Sequence, residues 1–350
     1  MKKPNEGMFH APRRNPWLDT WRAFRRHRAA AVGLVLILTF VLLAFLAPIV
    51  TPYDFYLETP NLRRATPLTR FQPDEGMLEQ CHWKNTFLED PGCKIFIAGT
   101  DANGRDLWSR TVYGARTSLA VAFAAALTSL LIGVIYGSLS GYLGGQVDEI
   151  MMRFVDFLYS IPVFLIVLGI QSFFHILFDY SEGILATLEA WNAKFGGLLF
   201  LFIALGAVNW VSTARLSRAM VHAQKQKDYV EAARALGANE LQIMFRHLFP
   251  NIIGPLLVME TIAIPGYILL EATLSFVRLG AIETTRYRLG NVVAIGPSWG
   301  AMIRDGYPGL RTSPHLVLFP SMALTLLTLA FNFVGDGLRD AIDPKLRTQR

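Results

Sequence analysis

Six long apolar stretches, separated by polar segments, dominate the chain. Each approaches the length of about 20 residues that a helix needs to cross the hydrocarbon core of a bilayer. Of the 350 residues, 52% are hydrophobic and 17% are charged, which is too apolar for a soluble domain of this size. The pattern therefore predicts an all-α membrane protein with six transmembrane helices. The predicted spans are 29–50, 118–139, 154–174, 196–211, 252–274 and 316–334, of which the fourth is the shortest.

Basic residues set the predicted orientation of these spans. Eight cations precede the first span, against only Glu6 and Asp19. Because cytoplasmic flanks are enriched in Lys and Arg, we expect both termini in the cytoplasm. A cleavable signal peptide is the alternative for the first span, but 28 residues precede it and further spans follow. The net charge of +6 then reflects topology and does not indicate nucleic-acid binding.

This topology divides the chain into segments with predicted locations. The first span separates a cytoplasmic segment from an external loop, and a core with five more spans includes one long cytoplasmic loop. The predicted segments are 1–28 (cytoplasmic), 29–50 (first span), 51–117 (external loop), 118–334 (core), 211–250 (cytoplasmic loop within the core) and 335–350 (cytoplasmic tail).

The external loop contains both cysteines of the chain, Cys81 and Cys93. Eleven residues separate them, so a disulfide would close a small loop, and the oxidising side of a bacterial membrane would permit it. Two free thiols are the open alternative. A metal site would need more ligands than His82 adds.

The cytoplasmic loop includes the sequence DYVEAARALGANELQIMFRHLFP at 228–250. Alanines at 232, 233 and 235 favour a narrow helix, and Gly237 supplies a left-handed residue that ends it. Glu231 lies in the first turn, where a negative charge suits the helix dipole. An ordinary surface helix with a glycine at its end is the simpler interpretation.

Three glycines, at 133, 137 and 141, form one stripe on the second span. Small residues at this spacing let two helices approach closely in lipid, so we expect a packing role.

The fifth span contains Glu260 and Glu271, eleven residues apart on nearly the same helical face and about 16 Å apart along the axis. Ionisable groups inside a span usually face a bundle interior or an aqueous path, so both are candidates for a translocation path. For Glu271, a helix-end carboxylate near the outer interface is an equal alternative.

Several motifs together resemble the C-type permease subunits of oligopeptide/dipeptide (Opp/Dpp) binding-protein-dependent ABC importers. The segment 228–250 is similar to the cytoplasmic EAA loop of these permeases. The segments GTDANGRDLWSRTVYGARTSL at 99–119 and FPSMALTLLTLAFNFVGDGLRDAIDPKLR at 319–347 match further motifs in the expected order. The resemblance covers roughly 99–347 and leaves 51–97 uncovered. One departure is Val277-Arg278, where the family pattern usually has Leu-Gly. The residues that match the EAA loop are Glu231, Ala232, Ala233, Gly237 and Pro250.

The resemblance implies a type I ABC importer permease fold in the bacterial inner membrane, with the EAA loop docking on an ATPase subunit. It also implies four kinds of partner: a second, homologous permease, two ATP-binding subunits, an extracytoplasmic substrate-binding protein, and a peptide as substrate. No Gly-x-x-x-x-Gly-Lys-Ser/Thr motif occurs in the chain. We therefore expect no cofactor here, with ATP and Mg²⁺ on the partner subunits.

Other functions stay open at this point. Nickel chelates or glutathione are alternative substrates within the same transporter class. An ion-coupled secondary carrier would use Glu260 and Glu271 as proton sites, but no internal repeat supports it. An intramembrane enzyme lacks the expected motifs, since neither His-Glu-x-x-His nor Gly-x-Ser-x-Gly occurs.

Overall fold

The computed structural model describes residues 16–73, 77, 81, 94–179, 187, 192, 199–280 and 296–342. Most of these residues are helical, and the predicted all-α membrane architecture is confirmed. Four of the described helices are long and apolar enough to span a membrane, or five if one bent pair counts as a single span. The number of six spans therefore stays a prediction.

The N-terminal region consists of three helices, α1 (Pro16–Arg26), α2 (Arg28–Phe45) and α3 (Ala47–Val50). His27 separates α1 from α2 because its backbone is extended, and its Nδ1 accepts a hydrogen bond from the Ala30 N–H that begins α2. The predicted first span, 29–50, is therefore interrupted at Leu46, the residue between α2 and α3.

The segment after α3, which the topology predicts to be external, is mostly irregular where it is described. It has a 3₁₀ turn at Pro60–Leu62 and a two-residue antiparallel ladder of β1 (Thr69–Arg70) and β2 (Ile95–Phe96). Stacked rings of Phe71 and Phe96, 4.4 Å apart at their centroids, form its small core together with Tyr53. Cys81 is buried in the same cluster and is disulfide-bonded. Cys93, the other cysteine of the predicted pair, lies outside the described residues.

Helix α4 (Leu107–Leu143) is 37 residues long and begins eleven residues before the predicted start of the second span. Asp106 explains this early start, since its carboxylate accepts hydrogen bonds from the Ser109 N–H and hydroxyl and caps the helix. The predicted external loop 51–117 therefore ends in helix. At 1.5 Å per residue, α4 is about 55 Å long.

The third predicted span, 154–174, is wrong as a continuous helix. The structure has α5 (Gly145–Ser160) and α6 (Val163–Asp179), and the two helices meet at an angle of 85°. Ile161 is extended, with φ −89° and ψ 128°. The residue before a proline is disfavoured in the helical region, so Pro162 accounts for the break.

The next helix, α7 (Leu199–Lys225), contains the described part of the predicted fourth span. It leads to residues 228–250, which we call the coupling segment after the role that the sequence predicts for them. There, α8 (Asp228–Ala235) and the single turn α9 (Glu240–Gln242) precede a π-helix at Ile243–Leu248, which leads directly into α10 (Phe249–Phe276).

Helix α10 ends in a Schellman motif, in which Leu279 N–H donates to Leu274 C=O and Arg278 N–H to Ser275 C=O. Arg278 has a φ of +68° at the left-handed position of this motif. This conformation explains why the family pattern has glycine there. The last two described helices are α11 (Trp299–Gly306) and α12 (His315–Ile342).

The glycine stripe of α4 confirms the expected packing role, and its partner is α7. A Cβ atom on Gly137 would lie 2.1 Å from the Ala214 carbonyl oxygen. Cβ atoms on Gly133 and Gly141 would each lie 2.6 Å from their nearest atoms, in Thr213 and Arg218. The backbones of α4 and α7 are therefore in direct contact over more than two helical turns.

Candidate coupling segment and buried carboxylates

Helix α8 forms as the sequence predicts and ends in a Schellman motif. Gly237 N–H donates to Arg234 C=O at 2.9 Å, and Ala238 N–H donates to Ala233 C=O at 3.0 Å. Gly237 has a φ of +86°, and a Cβ atom there would meet no neighbour within 4 Å. The requirement for glycine is therefore conformational, because the left-handed backbone and not a lack of space excludes other side chains.

The two faces of α8 have different environments. Val230 and Ala233 point inward and pack with the fully buried Ile243 and Leu248 of the π-helix. Glu231 and Ala232 are exposed, and Leu236 is 89% exposed. Ala233, one of the residues that match the EAA loop, therefore lies on the buried face and anchors α8 to the body of the protein.

The exposed face extends beyond α8. Leu241 is 70% exposed and Phe245 is 68% exposed, on the turn and π-helix that follow Gly237. A capping box holds this turn, in which Asn239 and Gln242 exchange side-chain to backbone hydrogen bonds of 2.8 and 3.1 Å. Pro250 is exposed at the start of α10, where a missing N–H is tolerated. We call the exposed residues Glu231, Ala232, Leu236, Leu241 and Phe245 the coupling face.

The coupling segment contacts the end of α4 through Tyr142. Lys225 Nζ donates to the Tyr142 carbonyl oxygen at 2.5 Å, and the ammonium lies 5.1 Å from the centre of the Tyr142 ring. Arg234 of α8 reaches the Tyr142 hydroxyl at 3.5 Å. These contacts connect α8 to both members of the close-packed α4–α7 pair.

Charged pairs on the same side tie α5 to α7. Arg218 donates two hydrogen bonds to the Asp148 carboxylate, which also accepts from the Ser140 hydroxyl. Arg215 contacts Asp156 at 2.6 Å and lies over the Tyr159 ring at 4.1 Å. The bidentate Arg218–Asp148 pair adds geometric specificity to the contact between α5 and α7.

Glu260 lies at the meeting point of three helices and is 4% exposed. Its Oε1 accepts hydrogen bonds from the Ser129 hydroxyl of α4 at 2.8 Å and from the Thr213 hydroxyl of α7. Its Oε2 accepts from the Tyr267 hydroxyl, two α10 turns further along, at 3.0 Å. The carboxylate thus links α4, α7 and α10 within one chain. Its role in a translocation path stays a prediction.

Glu271 is fully buried near the other end of α10 and has different partners. The Ser275 hydroxyl donates to its Oε1 at 2.7 Å. Helix α11 packs on this turn so closely that a Cβ atom on Gly300 would lie 2.1 Å from the Ala272 carbonyl oxygen. The structure therefore does not bring Glu260 and Glu271 into one site.

The sequence did not predict which hydroxyl groups would bind the Glu260 carboxylate. Ser129 precedes it by 131 residues and Thr213 by 47. One sequence feature could have indicated this contact: Ser129 lies one turn before Gly133, on the glycine side of α4 that faces α7. In the part of the chain that the structure describes, no three His, Cys, Asp or Glu side chains are grouped to hold a metal ion.

The geometry defines a helical protein in which at least four described helices are long and apolar enough to span a membrane, and comparisons identify its family. Residues 129–348 match the family described as the binding-protein-dependent transport system inner membrane component. Residues 15–73 match the N-terminal TM domain of oligopeptide transport permease C, a region that lies outside the one covered by the sequence motifs. The chain belongs to the family of binding-protein-dependent transport system inner membrane components.

Individual relatives agree with this assignment. The oligopeptide transport system permease protein OppC of Haemophilus influenzae is 36% identical over 95% of this chain and 90% of its own length. The glutathione transport system permease protein GsiD of Pectobacterium atrosepticum is 33% identical, covering 96% of this chain and 93% of its own length. A solved structure of the methionine ABC transporter MetNI, in an inward-facing conformation, aligns with a TM-score of 0.45 and 19% identity over 67% of this chain and 97% of the solved one.

Proposed function

We propose that this chain is the peptide-translocating permease subunit of an ATP-driven importer. Family membership gives the class, an inner-membrane component of a binding-protein-dependent system. The peptide substrate is supported by the oligopeptide permease relative, which at 36% identity is more similar than the glutathione permease relative at 33%. Uptake of a radiolabelled tripeptide by the reconstituted transporter, compared with uptake of glutathione, tests the substrate.

The partners follow from the same class. A second permease subunit would complete the pore, two ATP-binding subunits would hold ATP and Mg²⁺, and an extracytoplasmic protein would deliver the substrate. This chain contributes no phosphate-binding loop of its own and acts as a transport subunit, not as an enzyme.

The observation that carries the proposal is the coupling face. Large apolar side chains such as Leu236 and Phe245 are exposed on a polar segment that is too short and too charged to enter lipid. Exposed apolar residues of this kind mark a protein contact, and the carboxylate Glu231 of the same segment is exposed as well. We propose that this face docks on an ATPase subunit, with Val230 and Ala233 fixing the helix to the permease.

Substitution at Gly237 tests this assignment. A valine there would have to adopt a left-handed backbone, which costs about 1–2 kcal/mol and unwinds the end of α8. Glu231→Lys changes only the charge of the docking face. We expect both variants to insert normally but to lose transport-coupled ATP hydrolysis.

The matched control is Gly254→Ala in α10, where an added Cβ atom meets nothing within 4 Å. ATPase co-purification and the ratio of peptide imported to ATP hydrolysed are the measurements. Wild-type coupling in both Gly237→Val and Glu231→Lys would refute the docking role of this segment.

The proposed orientation places both termini and the coupling segment in the cytoplasm. Single cysteines at Glu58, in the external segment, and at Gln226, before α8, test it in a background without Cys81 and Cys93. We expect an impermeant thiol reagent to label the Glu58→Cys variant from outside intact cells and the Gln226→Cys variant only after lysis. The reverse labelling would invert the topology and remove the coupling proposal with it.

A further inference from the structure

A cavity of about 830 Å³ lies at the end of the molecule opposite the coupling face. Its walls come from the turn that precedes α4, the end of α10 and the helix α11, while the coupling segment contacts Tyr142 at the far end of α4. The two sites are therefore about 55 Å apart along α4. On the proposed topology, this cavity opens to the outside, where substrate arrives.

The cavity combines both signs of charge with an apolar floor. Four arginines and three carboxylates are among the described lining residues, which leaves an excess of one positive charge. Leu107, Met302 and Leu316, all buried, form the apolar part. The charged lining residues are Arg105, Arg110, Arg278, Arg304, Glu58, Asp101 and Asp305.

Most of these charges are fixed by their neighbours and form a rigid wall. The buried Arg105 and Arg110 both contact the Asp101 carboxylate, at 2.8 and 3.4 Å. Arg304 donates to Asp305 and to the Ser275 carbonyl oxygen. These side chains are thus already held in place, and they shape the cavity.

Two charged side chains of the cavity lining are not held by ion pairs or hydrogen bonds of this kind. The Arg278 and Glu58 side chains are exposed, and neither side chain makes a hydrogen bond or ion pair with the part of the chain that the structure describes. Arg278 also has a φ of +68°, a conformation that is unfavourable for any residue with a Cβ atom. Strained residues of this kind concentrate at functional sites, because the surrounding structure must hold them in position.

We propose that this cavity binds short zwitterionic peptides, with Arg278 contacting the α-carboxylate and Glu58 the α-ammonium group. A guanidinium matches a carboxylate through two parallel hydrogen bonds, and Leu107, Met302 and Leu316 would contact an apolar side chain. A sphere of 830 Å³ is about 12 Å across, and an extended tripeptide is about 10 Å long. The cavity therefore suits two or three residues. This inference rests on the proposed function, in which peptide is the substrate.

The test uses the complete transporter in nanodiscs without the substrate-binding protein. Binding of trialanine and of its C-terminal amide is followed by saturation-transfer NMR titration. We expect the free acid to bind about tenfold more tightly than the amide. Arg278→Gln should weaken binding of the free acid by about tenfold and leave the amide unchanged. Arg311→Gln, an exposed arginine after α11 that does not line the cavity, is the matched control and should behave as wild type.

A second variant separates ligand binding from folding. Arg278→Gly fits the left-handed backbone, so the variant should melt at or above the wild-type temperature and still lose the preference for the free acid. Equal binding of acid and amide by the wild-type transporter, while peptide uptake persists, would overturn this inference alone. Absence of both peptide uptake and peptide binding would instead refute the proposed substrate.

One further outcome identifies a different occupant. If Arg278→Gln weakens binding of the peptide-loaded substrate-binding protein to the transporter but leaves binding of free trialanine unchanged, the cavity receives a carboxylate of that protein. This result would overturn the peptide proposal.

Discussion

The close approach of α4 and α7 makes Gly137 the most tightly enclosed glycine of the α4 stripe. A Cβ atom there would lie 2.1 Å from the Ala214 carbonyl oxygen and 2.9 Å from the Ala214 Cα. Ordinary contact begins at 3.4 Å, so the two backbones would have to separate by about 1.3 Å. The obstacle is backbone, which has no alternative rotamer to adopt.

The cost of Gly137→Ala follows from this displacement. Overpacking of one methyl group usually costs about 1–3 kcal/mol, and backbone obstruction belongs at the upper end. Separation of α4 from α7 also stretches the 3.0 Å contact between the Ser138 and Ser217 hydroxyls. The intrinsic helix preference of alanine over glycine returns only about 1 kcal/mol. We therefore expect a net destabilisation of about 1–2 kcal/mol.

The assay is thermal denaturation of the purified transporter in detergent, followed by tryptophan fluorescence. Gly254→Ala is again the control, because its added methyl group meets no neighbour and the change should be neutral or stabilising. A Gly137→Ala variant that melts at or above the temperature of Gly254→Ala would refute the inferred backbone contact between α4 and α7.

Two further predictions concern buried carboxylates. Glu260→Gln should assemble normally, because its amide oxygen still accepts from Ser129 and Thr213, whereas Glu260→Leu should lower the yield of complex by leaving buried hydroxyls without an acceptor. Uptake per assembled complex tests the path assignment, and an unchanged value for Glu260→Gln would exclude it. Burial raises the pKa of Asp106 from 3.8 to about 6. Between these two pH values the native state therefore binds more protons than the unfolded state. The free energy of unfolding falls as pH rises through this window. Asp106→Asn should remove this dependence, with a gain on the order of 2–3 kcal/mol at pH 7.5 and none at pH 3.5; equal melting-temperature differences at both pH values would contradict it.

Local features were predictable wherever the cause is local. Gly237 ends α8 and Asp106 begins α4 because cap chemistry depends on a few neighbouring residues. The break between α5 and α6 also has a local cause, Pro162. The continuous apolar run across this proline nevertheless favoured the prediction of a single span.

Other features depend on partners far along the chain. The pattern of alanines in α8 does not show that Ala233 faces inward, because its contacts with Ile243 and Leu248 depend on the turn and π-helix between them. The hydroxyl groups around Glu260 come from three separate helices, and the cavity at Arg278 is lined by five separate stretches of the chain. No spacing within one helix indicates which other helix will supply the partner.

The nested backbones of α4 and α7 determine how this subunit transmits movement. Two helices in contact through glycines cannot slide along each other without passing a carbonyl oxygen over a Cα. We therefore expect α4 and α7 to tilt together as one rigid unit. Over a length of about 55 Å, a tilt of about 5° at the end near the coupling face displaces the opposite end by about 5 Å. On the proposed docking role, a small rotation at the coupling face would then become a displacement of several ångströms at the cavity end of α4.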